Sequence, residues 1–272
     1  MSGELSLELM NTTLSWFDVH CHFDFDVFDG QRDEHWTLAR AAGVSGILIP
    51  GVSRSQSDAL AEVVPQCWNR HRLAGLHPYW CDQHQPDDLE WLAQSLVDYD
   101  SVALGEAGMD AHLDKSSRVS KEEQWRWFLP QIELAETLKL PLVLHVRGMH
   151  DEVSSELKRR RFSHGGLVHA FSGSQQQGER WLDLGFVLGV GGAMTHPGAT
   201  RLRRTLRSLP NEAFLLETDA PDMKPAFCGG EINTPAMIPF YGAILATLKM
   251  CTLDQINEQL ACNLARTFPK LP

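Results

Sequence analysis

Short apolar runs alternate with longer amphipathic segments along almost the whole chain. Eight of the runs have the length of a buried strand, and the segments between them carry apolar residues at helical spacing. This alternation is typical of repeated βα units around a parallel sheet. The eight strands are predicted at residues 16–20, 46–50, 73–77, 102–106, 142–146, 167–170, 186–190 and 214–217.

The segments between the strands predict one helix per crossover, and two more helices follow the last strand. Eight βα units with closing helices favour an α/β fold of the (β/α)8 TIM-barrel type. A doubly wound open sheet stays an alternative, because the number of strands does not establish closure. The helices are predicted at residues 34–42, 55–70, 88–99, 122–138, 151–160, 176–184, 200–208, 236–250 and 253–266.

The length and composition fit one catalytic domain. The chain has 272 residues, of which 43% are hydrophobic and 22% charged, and barrels of this type commonly form a single domain of about 250 residues. We therefore expect a short extension over residues 1–14 and one barrel over residues 15–272. The extension has no basic region or long apolar run, so neither a secretory signal nor membrane association is expected. The six cysteines form no CxxC pair, which favours a cytoplasmic protein.

The charge balance limits the binding modes open to the chain. A net charge of −11 disfavours broad, sequence-independent attraction to a polyanion. It does not exclude a nucleic-acid substrate, because an enzyme that holds one or two phosphates through bound metal ions needs only a locally positive site. Two arginine-rich stretches, residues 159–161 and 201–207, are interpreted as solvated faces late in helices that lead away from the site. No protein partner is predicted.

Residues with metal-binding side chains end five of the predicted strands. In a barrel enzyme the active site forms at the C-terminal ends of the strands. Residues two apart on a strand point to the same side, so His20 and His22 face the barrel mouth together while Cys21 points away, and His145 and Arg147 follow the same rule. The ligand-type residues at these ends are His20, His22, Glu106, His145, His169 and Asp219.

A single histidine or carboxylate at a strand end is more often structural than functional, because such residues commonly form local hydrogen bonds or cap a helix. Six ligand-type residues at the same end of five strands are not explained in this way. Four imidazoles and two carboxylates suffice for two divalent ions, with Glu106 placed between them as a bridge. Zn²⁺, Mn²⁺ and Ni²⁺ suit this donor set, and Mg²⁺ is less suited to so many imidazoles.

Six short motifs contain these residues and their neighbours. They are FDVHCH at 17–22, GLHP at 75–78, GEAGMD at 105–110, LHVR at 144–147, HAFSGS at 169–174 and ETDAP at 217–221. Together they resemble the TatD family of metal-dependent deoxyribonucleases, and its YjjV-like bacterial members in particular. The resemblance covers nearly the whole chain after the extension, and the combination is specific although no single motif is.

The resemblance implies a (β/α)8 fold with a two-metal site. In that arrangement His20, His22, Glu106 and Asp219 surround one ion, and Glu106, His145 and His169 surround the other. It implies hydrolysis of phosphodiesters by a metal-activated water, with DNA as the substrate and an exonuclease acting on single strands as the expected activity. Asp219 and Glu106 are the expected catalytic residues, and substrate binding is expected from Arg147, His77 and Ser172.

Two other functions stay open on the sequence alone. Amidohydrolases that cleave C–N or ester bonds share this barrel and its His-x-His opening, and relatives that act on aminoacyl-tRNA belong with them. Many amidohydrolases bridge their metals with a modified lysine on the fourth strand, whereas here that strand ends in Glu106. The third alternative is a metal-bound barrel without turnover, and the complete set of apparent ligands argues against it.

Overall fold

The computed structural model describes residues 14–64, 70–116, 118–229 and 232–271. Strands and helices alternate through these ranges. The strands are β1 (Trp16–Asp18), β2 (Val44–Ile49), β3 (Arg70–Arg72), β4 (Leu104–Asp110), β5 (Leu142–Arg147), β6 (Gly166–His169), β7 (Phe186–Val190) and β8 (Phe214–Leu216). The helices are α1 (Arg32–Ala41), α2 (Arg54–Val63), α3 (Asp88–Asp98), α4 (Ala111–Lys115), α5 (Lys121–Leu138), α6 (His150–Arg160), α7 (Gln175–Asp183), α8 (Thr200–Ser208), α9 (Ile238–Lys249) and α10 (Leu253–Thr267).

The strands close into a barrel. All paired strands are parallel, in the orders β1-β2-β3 and β4-β5-β6-β7-β8. The two sheets join where the amide of Gly105 donates to the carbonyl of Ala74 (2.9 Å), and again where the amide of Val19 donates to the carbonyl of Leu216 (3.1 Å). The first bond connects the segment after β3 to β4, and the second connects β8 to the residue after β1. The (β/α)8 prediction is therefore confirmed and the open sheet is excluded.

The barrel interior changes from apolar to polar along the strand direction. Val143, Leu167 and Leu215 pack together inside the barrel with the inward residues of the other strands. Two residues further on, at the same orientation, stand His145, His169 and Glu217, because side chains alternate along a strand with a period of two. The apolar layer therefore supports a polar layer at the C-terminal ends. At the opposite end, α10 and the residues after it close the barrel with Leu264, Phe268 and Leu271.

The third strand differs from its prediction. It was expected at residues 73–77, but it is Arg70–Arg72, and the following segment makes only an isolated bridge to β4, at Ala74. The segment lies so close to β4 that a side-chain carbon on Gly75 would be 2.5 Å from the amide nitrogen of Glu106. This tightly packed apolar run has the sequence pattern of a strand, although it forms no regular ladder of backbone hydrogen bonds.

The helix boundaries agree closely with the predicted ones, except in the second crossover, which joins β2 to β3. There the predicted helix 55–70 is too long, because α2 ends at Val63 and Arg70 already belongs to β3. The five-residue helix α4 was not predicted, since one turn is too short to show helical spacing. The predicted extension lies outside the described residues except for Leu14, which packs against the core.

In the described ranges no single helix is both long enough and apolar enough to cross a membrane. Residues 235–249 and 253–267 reach the required length and hydropathy only when they are counted together, and the chain bends by 106° between them. Helices α9 and α10 pack against each other and against β8.

Replacing Phe268 tests the closure at the base of the barrel. The ring is fully buried, so Phe268→Ala should lower the free energy of unfolding by about 3–5 kcal/mol, measured by urea denaturation. The same change at Phe227, which is 54% exposed, should lower it by less than about 1 kcal/mol. Equal effects of the two substitutions would contradict a packed closure at this end.

Candidate metal centre

The six residues predicted as ligands lie together in the polar layer, and Glu106 is at their centre. Its Oε2 atom is 3.2 Å from His20 Nε2 and 3.6 Å from His22 Nε2. Asp219 faces the same two nitrogens, with Oδ1 at 3.6 Å from His20 and 3.7 Å from His22. These four side chains enclose one small space.

The other oxygen of Glu106 faces a second group. Oε1 is 3.2 Å from His145 Nδ1 and 3.2 Å from His169 Nε2. The two imidazole nitrogens are themselves 3.3 Å apart. The carboxylate thus has one oxygen on each side of the centre, which is the arrangement that a bridging ligand requires.

The positions of the donor atoms suit binding to divalent cations better than hydrogen bonding among the donor atoms themselves. His20 Nε2 and Glu106 Oε2 are buried and make no hydrogen bond within the described residues, and an unsatisfied buried polar atom costs about 1–3 kcal/mol. Ligands bound tetrahedrally to Zn²⁺ at about 2.0–2.1 Å lie about 3.3 Å from each other. The separations of 3.2–3.7 Å among these atoms match that value. Triads compatible with a cation include His20, His22 and Asp219.

One carboxylate behind the centre orients a histidine, and a second carboxylate lies beside another histidine. Asp110 Oδ2 lies 3.0 Å from His145 Nε2, so that nitrogen carries the proton and Nδ1 presents its lone pair to the centre. Glu217 Oε1 lies 3.6 Å from His169 Nδ1 and accepts the amide of Ala170. Sequence reasoning did not nominate Asp110 or Glu217, although both stand in the strand-end motifs. Burial opposes ionisation of Asp110, but the His145 hydrogen bond prevails and its pKa falls to about 2.

His77 lies beside the bridge as a hydrogen-bond donor. Its Nδ1 accepts the amide of Tyr79 (3.0 Å), so Nε2 carries the proton and donates to Glu106 Oε1 at 3.1 Å. In this tautomer neither nitrogen has a lone pair free for a metal. Burial lowers the pKa of His77 to about 4, so it donates as the neutral imidazole at neutral pH.

Asp219 is held by the turn that follows β8. Its amide donates to the carbonyl of His20 (2.8 Å), and the amide of His22 donates to Ala220 (2.8 Å). The preceding Thr218 is fixed by the buried Asp18, which accepts both its amide and its hydroxyl. Burial raises the pKa of Asp219 to about 6.

A cavity of about 490 Å³ opens above the centre. Arg147, His77 and Ser172, the residues expected to bind substrate, all line it. The Arg147 guanidinium is half-exposed, 3.5 Å from the hydroxyl of Tyr79. The sequence could not show which aromatic residues border the mouth; they are Phe25, Tyr79 and Trp80.

The two arginine-rich stretches have different environments. Arg159 and Arg160 pair with Glu156, and Arg160 also pairs with Glu133, so the first stretch is a solvated helix face as expected. In the second stretch Arg201 is exposed as expected, but the interpretation that it lies late in its helix is wrong. This residue stands in the first turn of α8, and its guanidinium donates to the carbonyl of Ser172 (3.3 Å) at the mouth of the cavity.

Comparison with known proteins gives a consistent assignment. The family model described as TatD related DNase matches residues 17–269. The metal-dependent hydrolase YjjV of Escherichia coli is 37% identical over 259 residues, which cover 93% of this chain and 97% of YjjV. Its crystal structure superimposes with a TM-score of 0.85 at 36% identity, covering 93% of this chain and 98% of that one.

A second relative carries a named activity. The 3'-5' ssDNA/RNA exonuclease TatD of Klebsiella pneumoniae is 31% identical over 262 residues, which cover 93% of this chain and 97% of the exonuclease. The family model and both relatives extend over nearly the whole barrel that carries the centre. The chain therefore belongs to the TatD family of metal-dependent hydrolases.

Proposed function

We propose that this hydrolase is a phosphodiesterase that removes nucleotides from single-stranded DNA and depends on two divalent ions. The observation that carries the proposal is the carboxylate of Glu106 between two groups of imidazoles, beneath a cavity bordered by Arg147 and three aromatic side chains. Two-metal centres of this type stabilise both the attacking and the leaving oxygen of a phosphoryl displacement. The activity named for the Klebsiella relative supports the same substrate class.

The residues divide into two sets of ligands around the shared Glu106. His20, His22 and Asp219 would hold one ion with Oε2, and His145 and His169 the other with Oε1. The imidazole-rich set suits Zn²⁺, Mn²⁺ or Ni²⁺ better than Mg²⁺. Such ions supply the positive charge that ionises a water molecule near neutral pH and neutralises the phosphate.

The side chains of the protein perform the remaining steps. Asp219 accepts the proton of the attacking water at its carboxylate, the water oxygen forms a bond to phosphorus as the ester P–O bond breaks, and the proton passes from Asp219 to the leaving oxygen. Arg147 binds a non-bridging phosphate oxygen through charge-assisted hydrogen bonds. His77 keeps Glu106 in place by donating to Oε1. The rings of Phe25, Tyr79 and Trp80 offer surfaces on which bases of a single strand stack, whatever the sequence.

A screen of metals against substrates tests the proposed activity. Protein stripped with a chelator should be inactive, and Zn²⁺, Mn²⁺ or Ni²⁺ should restore release of nucleotides from a single-stranded oligonucleotide, measured by gel electrophoresis. Aminoacyl esters and amides should be hydrolysed far more slowly with every metal. Faster turnover of an amide or an aminoacyl ester would identify an amidohydrolase-like enzyme. Hydrolysis of none of these substrates would instead support a barrel without turnover.

Replacing Asp219 tests its role as the proton acceptor. Asp219→Asn keeps an oxygen for the metal but removes the base, so kcat should fall by about 10²–10⁴-fold. Elemental analysis should find the metal content of the wild type. Asp222→Asn serves as the control, because Asp222 lines the same cavity and forms no ion pair with the described histidines. Near-normal turnover of Asp219→Asn with full metal occupancy would contradict the assignment.

A further inference from the structure

The start of helix α8 forms one side of the cavity mouth. Arg201 donates through Nη2 to the carbonyl of Ser172, and Ser172 lines the cavity. The next residue, Leu202, borders a small recess together with Ala170 and Asp219. The first turn of α8 therefore lies at the edge of the cavity, although Arg201 itself does not line it.

The charge of Arg201 is not balanced locally. No carboxylate of the described residues lies within 4.0 Å of its guanidinium, whereas Arg159, Arg160 and Arg180 each pair with at least one. A guanidinium has five N–H donors, and the bond to Ser172 uses one of them. In a chain with 35 acidic and 24 basic residues, an unpaired and exposed arginine at this mouth offers free donors to an anion.

The backbone that carries Arg201 is held firmly. The guanidinium of Arg203 donates to three carbonyls of the loop before α8, those of Met194, His196 and Pro197, at 2.6–2.9 Å. The hydroxyl of Thr195 accepts the amide of Ala226, so this loop is also fixed to the one after β8. The backbone position of Arg201 beside the mouth is therefore set by the fold.

Arg147 and Arg201 border the mouth near the ends of different strands. Arg147 is the last residue of β5, and Arg201 contacts the loop after β6. An extended single strand crossing the mouth presents a phosphate at every nucleotide, so one arginine can bind the phosphate that is cleaved while the other binds a neighbouring phosphate. Phosphate is also an anion that a forked guanidinium binds through two parallel hydrogen bonds.

We propose that Arg201 binds a phosphate of the nucleic-acid strand next to the phosphodiester that is hydrolysed. This second phosphate site rests on the proposed function. It makes a strand of several nucleotides a better substrate than a minimal diester, because only the longer substrate reaches Arg201. Arg201 is a specificity-determining residue in this proposal and takes no part in the bond cleavage.

The test compares Arg201→Ala with a matched control on two substrates. Arg207→Ala removes the same charge from the same helix about 9 Å further along its axis. The substrates are a single-stranded DNA decamer and bis(4-nitrophenyl) phosphate, which has one phosphate. Steady-state kinetics are measured with the metal-loaded proteins at several salt concentrations.

For Arg201→Ala we expect the KM for the decamer to rise about 3–10-fold with little change in kcat, since an exposed charge-assisted contact is lost. The dependence of log KM on log salt concentration should become shallower by about 0.7, the loss of one phosphate contact to a single strand. Kinetics on the small diester should be unchanged, and Arg201→Lys should recover part of the loss. Arg207→Ala should resemble the wild type on both substrates.

Three results would overturn the proposal while leaving the proposed function intact. One is a decamer KM unchanged by Arg201→Ala, and another is an equal rise for Arg207→Ala, which would indicate a general charge effect. The third is an equal loss on the small diester, which would place the effect in the metal centre itself. A wild-type protein that hydrolyses neither substrate with any metal would refute the proposed function, and the second phosphate site with it.

Discussion

The buried carboxylate of Glu106 is shared between two groups of histidines, and this sharing determines the arrangement of the polar layer. Glu106 is 1% exposed, and burying an ionised carboxylate costs several kcal/mol unless it is compensated. Burial alone would raise its pKa, but His77, His20, His169 and His145 surround it and hold the pKa well below its usual range. The carboxylate therefore stays ionised, which is the form that a bridging ligand needs.

The barrel accommodates this carboxylate by leaving space around it at two glycines, and a carboxylate behind the centre orients one of the histidines. Gly75 and Gly189 have no side chain because Glu106 and Glu217 occupy the space where one would lie. Asp110 orients His145, and Glu217 accompanies His169. The apolar layer beneath keeps the strand ends in register. Replacing Asp110 would leave Nε2 of His145 without its hydrogen-bond partner.

The sequence predicts the layer well because strand geometry is regular. An apolar run followed by His or Glu at a spacing of two places that residue at the barrel mouth, and this is where the structure has His145 and His169. The prediction fails where contacts between distant segments decide the outcome. β3 is displaced by close packing on β4, and the pairing of Asp110 with His145 joins residues 35 positions apart. The predicted helix at 200–208 already places Arg201 in a first turn, but its contact with the loop after β6 joins distant segments, which no local pattern encodes.

Metal stoichiometry of a Glu106 variant tests the central claim most directly. Wild-type protein stripped of metal and titrated with Zn²⁺ or Mn²⁺ in a calorimeter should bind two ions per chain. Glu106→Gln retains one oxygen, but its amide nitrogen cannot bind a metal, so it should bind at most one ion. Circular dichroism will establish that the variant is folded. Two ions bound by folded Glu106→Gln with wild-type affinity would contradict a bridging role for Glu106.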